Sequence, residues 1–282
     1  MIDFLSSKWV DAVTKGLGAT HHSLADGGSI TCFRAGPFRI AYPDFFTGTQ
    51  GPVGTDELAI RMQMARTLKA DIVRLQTGEM QAAMQPLATH ELGSCIISSL
   101  NTWDERNFDK ARRTSNREKR SSLQLRKGRQ SDGKCMHRLY LSTIRRHGGA
   151  ARYNQTYFEL IAEDAAIVAE LDGQFCGFVC VGFRNKAAYY MHGAHAIEAR
   201  NHYVSDLLFL AMLRQAREAG MTTFDFLPSP ADQPTLTSYK LLWGASAHRF
   251  TTYDLALNPL RARGFLAAVK AANLISAQRR RA

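Results

Sequence analysis

Apolar positions along the chain repeat alternately with the spacing of strands and with the spacing of helices. In the first hundred residues this pattern predicts a helix over 5–17, strands over 29–42 around a Gly36-Pro37 turn, a helix over 57–68, and strands over 71–76 and 94–99. Ser7 is a candidate N-cap for the first helix. The N-terminal part therefore alternates strand and helix, which is typical of an α/β protein.

A stretch of basic and acidic residues interrupts this pattern at 102–127, TWDERNFDKARRTSNREKRSSLQLRK. Thr102 and Glu105 fit a capping box, so a helix is predicted to begin there. Its acidic residues come first and its basic residues later, which suits the helix dipole. A solvated helix face is the ordinary interpretation of such a run, and a surface that faces phosphates is the alternative.

The remaining pattern is organised around a strand–helix–strand unit that ends in polar groups. The predicted elements are helices over 136–146 and 157–162, strands over 165–171 and 175–183 around an Asp172-Gly173 turn, a strand over 187–195, a helix over 205–219, strands over 222–226 and 248–257, and a helix over 259–274. Ligands of such units bind beyond the carboxyl ends of the strands and at helix N-termini. We therefore expect the site between residues 189 and 244, and a disordered basic tail at 279–281.

Composition narrows the class of partner. The chain has 282 residues, 45% hydrophobic and 22% charged, with a formal net charge of +11. This balance favours nucleic acid, phosphate-rich cofactors or anionic lipid as partners, although an incidental excess of arginine would give the same numbers. Five cysteines without a zinc or redox spacing indicate a reducing compartment. No leader and no long apolar run is recognised, so we expect a cytoplasmic protein without a membrane span and without a bound metal.

Six segments of the second half carry a family resemblance in combination. They are LYLSTIRRHGG (139–149), YNQTYFELI (153–161), AIVAELDGQFCGFVCVGF (166–183), YYMHGAH (189–195), SDLLFLAMLRQAREAGMTTFDF (205–226) and SYKLLWGA (238–245). Their order over residues 95–275 resembles the acyl-CoA N-acyltransferase (GNAT) fold, and more closely the Fem-type aminoacyltransferases and related bacterial acetyltransferase-like domains. The resemblance implies an α/β fold with a GNAT-like mixed sheet and flanking helices, in two GNAT-like halves. Residues 1–120 would form a reduced N-terminal half with a connecting basic helix, and residues 121–282 the acyltransferase domain.

The resemblance also implies the chemistry, which is attack of a neutral amine on an activated ester or thioester. Such a reaction needs orientation, a proton acceptor and donors for the oxyanion. In the family, a backbone N–H of the strand at 189–193 would serve the oxyanion, and the donor's phosphates would lie at the N-terminus of helix 205–219. The loop at 198–206 lacks the glycines of acetyl-CoA-dependent relatives. This departure favours aminoacyl-tRNA as the donor over acyl-CoA, with an amine-bearing acceptor of unidentified kind and no tightly bound cofactor.

Candidate site residues fall into three groups. The catalytic candidates are Lys240, His192 and His195; the donor-binding candidates are Arg200, Asn201, Ser205, Tyr239 and Lys240; the acceptor-pocket candidates are Tyr189, Tyr190, Asp225 and Trp243. The two histidines are three positions apart on one strand, so we expect them on opposite faces, and either alone could be a core histidine.

Structural roles compete for several of the other candidates. Asp225 could anchor the following loop instead of acting in the pocket, and Ser205 could cap its helix. Lys240 could be a solvated lysine, and the tyrosines could serve packing alone.

Two other classes of function compete with acyl transfer. The first is a non-catalytic nucleic-acid-binding module that uses the basic run at 106–129 and the arginine tail. The second is a degenerate GNAT scaffold that binds a partner protein. A polar cleft at 189–205 distinguishes them, because a binding module does not need the cleft and a degenerate scaffold would fill it with side chains.

Overall fold

The computed structural model describes residues 1–80, 85–230 and 234–279. The chain forms two compact units. One consists of Met1–Leu17 with Gly93–Arg249, and the other of Gly18–Leu92 with Phe250–Ala282. Each unit is thus assembled from two separate segments of the chain. The five cysteines are free.

The strands and helices follow the predicted alternation. The strands are β1 (Ile2–Asp3), β2 (Thr20–Ser23), β3 (Ser29–Ala35), β4 (Phe38–Pro43), β5 (Thr49–Val53), β6 (Ile72–Met80), β7 (Ala88–Ile97), β8 (Gln124–Lys127), β9 (Ala166–Leu171), β10 (Gln174–Arg184), β11 (Ala187–His195), β12 (Thr223–Asp225), β13 (Ser229–Pro230) and β14 (Ser246–Ala256). The helices are α1 (Ser7–Asp11), continued by a π-helical turn, α2 (Thr55–Thr67), α3 (Asp109–Glu118), α4 (Gly133–Arg146), α5 (Gln155–Ala165), α6 (Val204–Glu218), α7 (Pro234–Leu241) and α8 (Pro259–Arg279).

The sheet of the first unit has the strand order β8-β9-β10-β11-β12, followed by the end of β7. Strands β9 and β10 form the predicted hairpin, and Asp172 and Gly173 both have positive φ, 51° and 73°. Two left-handed residues suit a tight turn that matches the twist of the strands. Strands β10 and β11 are antiparallel, whereas β11 and β12 are parallel with α6 between them. The sheet is therefore mixed, as expected.

Helices cover both faces of this sheet. Val179 and Val181 of β10 share a core with Leu208, Met212 and other apolar residues of α6. Phe178, the neighbour of Val179, instead meets Phe158 of α5, with ring centroids 5.9 Å apart. Since successive strand residues point to opposite faces, α6 lies on one face and α5 on the other.

The basic stretch does not form the single helix that its sequence predicts. It contains two 3-10 turns, helix α3 and then the edge strand β8. Thr102 does not cap a helix, because its hydroxyl donates to the carbonyl of Ser99 (3.2 Å). Glu105 is engaged by Arg214 of α6 at 2.7 and 3.0 Å, so a tertiary ion pair replaces the predicted capping box. At α1 the cap is Ser6 and not Ser7, since the Ser6 hydroxyl accepts from the N–H of Trp9.

The predicted domain boundary after residue 120 differs from the observed division. It falls inside the first unit, because β8 pairs with β9 and α3 is bound to α6 through Arg214. The arginine tail at 279–281 lies almost wholly outside the described residues.

The second unit contains its own sheet, in the order β2-β3-β4-β6 followed by the 250–256 part of β14, with β5 beside β6. Its core joins Ile30, Leu58, Val73 and Leu255. Asp254 is fully buried and accepts two hydrogen bonds from Arg74, both at 2.7 Å. A buried carboxylate needs such a partner.

Candidate active site

Strands β11 and β12 separate part-way along the sheet of the first unit. Their pairing covers Ala187–Tyr189 and Thr223–Asp225. Strand β12 ends at Asp225, whereas β11 continues to His195. One edge of β11 beyond Tyr189 is therefore no longer covered by β12.

A cavity of about 310 Å³ lies at this divergence and is called here the strand cavity. Its lining comprises Phe178 and Val179 of β10; Tyr190, Gly193, Ala194 and His195 of β11; Ser205, Leu208 and Phe209 of α6; Leu236 and Tyr239 of α7; and Thr143, Arg146 and His147 at the end of α4. Apolar walls with a few converging polar groups are typical of a ligand site.

A β-bulge decides which side chains of β11 face this cavity. Cys180 pairs with His192 and Val181 with Tyr190, so β11 has one extra residue, Met191, between the two pairs. The bulge turns Tyr190 towards α6, where its ring lies 5.3 Å from that of Phe209. Without it, Tyr190 and His192 would share a face, since they are two positions apart.

His195 is the predicted histidine that lines the strand cavity. Its Nδ1 lies 2.8 Å from the hydroxyl of Ser205. Burial lowers its pKa, and the positive charges of Arg146 and Arg200 lower the pKa further. The ring is therefore neutral at neutral pH and can accept a proton. Ser205 is not the helix cap, because the N-cap position is Tyr203.

His192 lies in the core on the opposite face, as the odd spacing predicts. It is only 8% exposed, and its Nε2 lies 3.0 Å from the hydroxyl of Tyr157. The rings of Tyr153 and Phe158 surround it at 4.5 and 5.5 Å. Burial lowers its pKa to about 3. His192 is thus a neutral core residue and does not line the strand cavity.

Lys240 and Asp225 hold the turn that follows β12. Lys240 is 3% exposed, and its ammonium donates to the carbonyls of Phe226 (3.1 Å) and Leu227 (3.0 Å). Asp225 accepts from the Ser94 hydroxyl (2.6 Å) and from the N–H of Leu227 (2.7 Å). Leu227 has φ 60°, a left-handed conformation that costs about 1 kcal/mol and needs such support. Neither Lys240 nor Asp225 is among the residues that line the strand cavity.

Tyr239 reaches the strand cavity and is fixed by the first turn of α6. Its hydroxyl donates to Asp206 (2.8 Å), which also accepts from the ammonium of Lys110 (2.6 Å). Burial and the charge of Asp206 raise the pKa of Tyr239, so the phenol stays protonated. Asp206 also offsets the helix dipole, as its position in the first turn predicts.

The predicted acceptor-pocket residues do not form one group. Tyr190 lines the strand cavity. Tyr189 is buried on the other face, with its ring 5.8 Å from that of Phe4. Trp243 is buried against Phe209, and its carbonyl accepts from the indole N–H of Trp103 (2.8 Å). Asp225 belongs to the turn described above.

A second cavity, of about 680 Å³, lies at the N-terminus of α6 and is called here the basic cavity. It is lined by Asn201, His202, Tyr203 and Leu207 on that side, and by Asn116, Arg117, Lys119, Arg120, Ser121 and Ser122 from the basic stretch. Asn201 therefore lies here, whereas the charge of Arg200 acts on His195. Sequence reasoning recognised the basic run but did not single out Tyr203 or Arg117, since both depend on packing across two helices.

Residues 106–241 match the family model described as an acetyltransferase (GNAT) domain. This segment, just under half of the chain, is similar to GNAT acetyltransferase domains. The matched range contains all residues that line the basic cavity and the strand cavity. The protein is an acyltransferase, as predicted.

Solved structures of low sequence identity share the fold of this protein. The structure of FemX is 14% identical over 92% of this chain and 93% of its own, with a TM-score of 0.60. The C-terminal domain of a putative lysylphosphatidylglycerol synthetase from Agrobacterium fabrum is 17% identical over 89% of both chains, with a TM-score of 0.58. L-PGS from Bacillus licheniformis is 11% identical over 89% and 92%, with a TM-score of 0.56. The predicted GNAT-like fold is thereby confirmed. No curated protein sequence matches the chain.

The described residues contain neither a metal-binding cluster nor a membrane-spanning helix. Across 1–80, 85–230 and 234–279, no group of three or more His, Cys, Asp or Glu side chains is arranged to hold a metal ion. In the same part of the chain, no helix is long and apolar enough to span a bilayer.

Proposed function

We propose that this protein forms an amide by transferring an aminoacyl group from aminoacyl-tRNA to an amine acceptor. The observation that carries the proposal is the strand cavity, where a neutral histidine meets the first turn of α6 at an uncovered strand edge. The fold shared with FemX over most of both chains and the net charge of +11 support an RNA donor.

His195 is proposed as the proton acceptor. The amine nitrogen attacks the carbonyl carbon of the aminoacyl ester, a C–N bond forms, and the bond from carbon to the ribose oxygen breaks. The amine proton passes to Nε2 of His195 and from there to the departing ribose oxygen. Nε2 can accept only if Nδ1 carries the other proton, and Ser205 lies at the right distance to receive a hydrogen bond from Nδ1.

The walls of the strand cavity orient the two substrates. The edge of β11 beyond Tyr189 offers backbone N–H groups near the reacting carbonyl, as the resemblance implies for the oxyanion. Tyr239 forms a fixed wall because Asp206 and Lys110 hold it. Lys240 is proposed as a positioning residue for the turn at Leu227, since its ammonium is bonded to backbone carbonyls. A direct contact between Lys240 and the donor stays a prediction.

Acyl-CoA is the second candidate donor. The family model that matches describes acetyltransferases, and this favours a thioester donor. The loop before α6 lacks glycine, yet Tyr203 there adopts φ 58° and ψ 32° and so provides a left-handed turn. The missing glycines therefore do not exclude phosphate binding at this helix. A cavity of about 310 Å³ argues against the degenerate scaffold, which predicts a filled cleft.

The test is amide formation by the purified protein with each donor. A pool of charged tRNA and, separately, acetyl-CoA would be offered together with a panel of amine acceptors, and products would be identified by mass spectrometry. Aminoacyl amides formed from tRNA, with weaker transfer at higher salt, support the proposal. Acetylated products alone would transfer the assignment to acyl-CoA, and no product from either donor would reject both.

A further inference from the structure

One end of the strand cavity is formed by polar side chains from the end of α4. Thr143, Arg146 and His147 line the cavity there and are called here the cationic end. Their spacing of three and four residues places them on the same face of the helix. Leu208, Phe209 and Leu236 form apolar walls of the same cavity. The cavity thus combines apolar walls with a basic end.

Helix α4 ends through its backbone and does not need these side chains as caps. Gly148 has φ 66°, and its N–H donates to the carbonyl of Arg145 (3.1 Å). The N–H of Gly149 donates to the carbonyl of Ile144 (3.0 Å). This pair of bonds is the Schellman arrangement, which satisfies the last carbonyls of a helix by backbone groups alone. The guanidinium of Arg146 is therefore not occupied by capping.

The charge of Arg146 has no carboxylate partner in the described part of the chain. Arg146 is exposed, and it forms neither an ion pair nor a side-chain hydrogen bond with a described residue. None of the described residues that line the strand cavity is Asp or Glu. Its neighbour Arg145 instead lines a separate groove, together with Lys134 and Arg138. An arginine in this situation suits a bidentate contact with a carboxylate or phosphate of a ligand.

An uncompensated cation beside the proposed base weakens that base. Burial lowers the pKa of His195, and the charges of Arg146 and Arg200 lower it further. The other titratable side chains that line the cavity are those of His147, Tyr190 and Tyr239. Burial raises the pKa of both tyrosines, so neither supplies a negative charge. A base of lower pKa accepts the amine proton less readily, and an anion bound to Arg146 would offset this loss while the acceptor is in place.

We infer that the amine acceptor carries a carboxylate or phosphate group, which Arg146 binds at the cationic end while the amine lies beside His195. Arg146 is then a specificity-determining residue, and Thr143 and His147 can donate hydrogen bonds to the remaining oxygens of the anion. The inference rests on the proposed function, because the anion offsets the effect of Arg146 only if it is bound close to His195. It therefore belongs to the acceptor and not to a remote part of the donor.

The test is binding of small amines to the full-length protein without a donor. Calorimetry gives their affinity, and NMR of isotope-labelled histidine gives the pKa of His195, whose signal is identified by its absence in His195→Gln. The anionic probes are γ-aminobutyrate and phosphoethanolamine, and their neutral counterparts are γ-aminobutyramide and ethanolamine. Coenzyme A tests whether Arg146 faces the donor instead. Arg146→Gln removes the charge, Arg146→Lys keeps it, and Arg145→Gln is the matched control, an adjacent exposed arginine outside the lining of the strand cavity.

We expect the wild-type protein to bind an anionic amine about 10- to 100-fold more tightly than its neutral counterpart. The bound anion should also raise the pKa of His195. Arg146→Gln should lose both the preference and the change in pKa, Arg146→Lys should keep the change in pKa, and Arg145→Gln should behave as the wild type does. The anionic probe that binds more tightly identifies the group as carboxylate or phosphate.

Three results would overturn the inference. The first is equal affinity of the wild-type protein for anionic and neutral amines, and the second is an unaltered preference in Arg146→Gln. The third is a rise in the pKa of His195 with coenzyme A but not with the anionic amines, which would assign Arg146 to the donor.

Failure of the anion site and failure of the proposed function give different results. Binding of anionic amines that depends on Arg146, without amide formation from either donor, would retain the anion site and reject the transfer reaction. Amide formation with the same KM for anionic and neutral acceptors would retain the reaction and reject the anion site.

Discussion

Single residues of β11 determine the shape of the strand cavity. Gly193 has no side chain, and a Cβ added there would lie 2.4 Å from the hydroxyl of Tyr190. The sequence predicts the strand over 187–195 correctly, including the opposite faces of His192 and His195. It does not reveal that Tyr190 faces α6, because the extra residue at Met191 depends on pairing with β10. A period of two along one strand carries no information about a bulge.

The first prediction concerns Gly193. Gly193→Ala should slow amide formation about 10- to 100-fold, because the new methyl group displaces the Tyr190 ring into the strand cavity and misplaces the substrate. Single-turnover rates would measure it, with Gly54→Ala as the matched control. A Cβ at Gly54 meets no atom within 4 Å, and the φ of this residue is not left-handed. A full rate in Gly193→Ala would show that Tyr190 does not shape the reaction site.

Arg146 affects the pKa of His195, the proposed proton acceptor in the strand cavity. Its charge lowers the pKa of His195, so Arg146→Gln should raise that pKa. Because His195 must be neutral to accept a proton, activity is lost as pH falls through its pKa, and the acid limb of the pH–rate profile should move to higher pH. Arg138→Gln, on the exposed side of α4, is the control and should leave the limb in place. An unmoved limb in Arg146→Gln would separate the titrating base from His195.

His192 makes stability depend on pH. Its folded-state pKa of about 3 lies below the ordinary value of 6.5, so the unfolded chain binds more protons between these two values. Stability from this residue is therefore complete above pH 6.5 and falls towards pH 3, by up to about 1.4 kcal/mol per pH unit.

Replacing His192 by phenylalanine should remove this contribution. Denaturant unfolding at pH 7 and pH 5 should show a smaller loss on acidification for His192→Phe than for the wild type. Equal losses would mean that His192 is protonated in the folded state.

At the scale of elements, the turn after β12 is fixed by two charged side chains that lie on different elements. Asp225 holds the N–H of Leu227, and Lys240 on α7 holds its carbonyl. The pair Tyr239-Lys240 is recognisable in the sequence, but the sequence does not show that the two side chains have different roles. The tyrosine faces the strand cavity, whereas the lysine faces the turn, since adjacent residues on a helix point in different directions.

Lys240→Met should therefore lower the free energy of unfolding by about 2 kcal/mol or more, since buried carbonyls lose a charged donor. Chemical denaturation measures this, with Lys186→Met as the control at an exposed lysine. If Lys240→Met keeps its stability and loses only activity, Lys240 instead acts on the donor, as the family resemblance implies.

Element prediction succeeded where local signals and tertiary contacts agree. The Asp172-Gly173 hairpin is one such case, because the turn residues and the flanking apolar strands indicate the same structure. It failed over 102–127, where Glu105 pairs with Arg214 and a polar segment, Gln124–Lys127, becomes an edge strand. An edge strand with few apolar residues has no periodicity to detect.

At the scale of the whole molecule, the presence of two compact units could be expected from the sequence. Which segments of the chain form each unit could not. The N-terminal segment Met1–Leu17 belongs with Gly93–Arg249, where β1 pairs with β10 and Phe4 packs over Gly182. The sequence pattern suggests a single boundary between two consecutive domains. It does not reveal that each unit combines two segments that are distant in the sequence. The fold class, the mixed sheet and the acyltransferase activity were predictable, because six motifs kept their order along the chain.

Amide formation in the strand cavity, with His195 as the proton acceptor, is the reaction proposed for this protein. The most direct measurement is the single-turnover rate of amide formation by His195→Gln, with saturating aminoacyl-tRNA and acceptor at pH 7.5. His22→Gln, an exposed histidine of the second unit, is the matched control. We expect a loss of about 100-fold or more in His195→Gln and none in His22→Gln. A wild-type rate in a folded His195→Gln protein would contradict it and place the chemistry elsewhere.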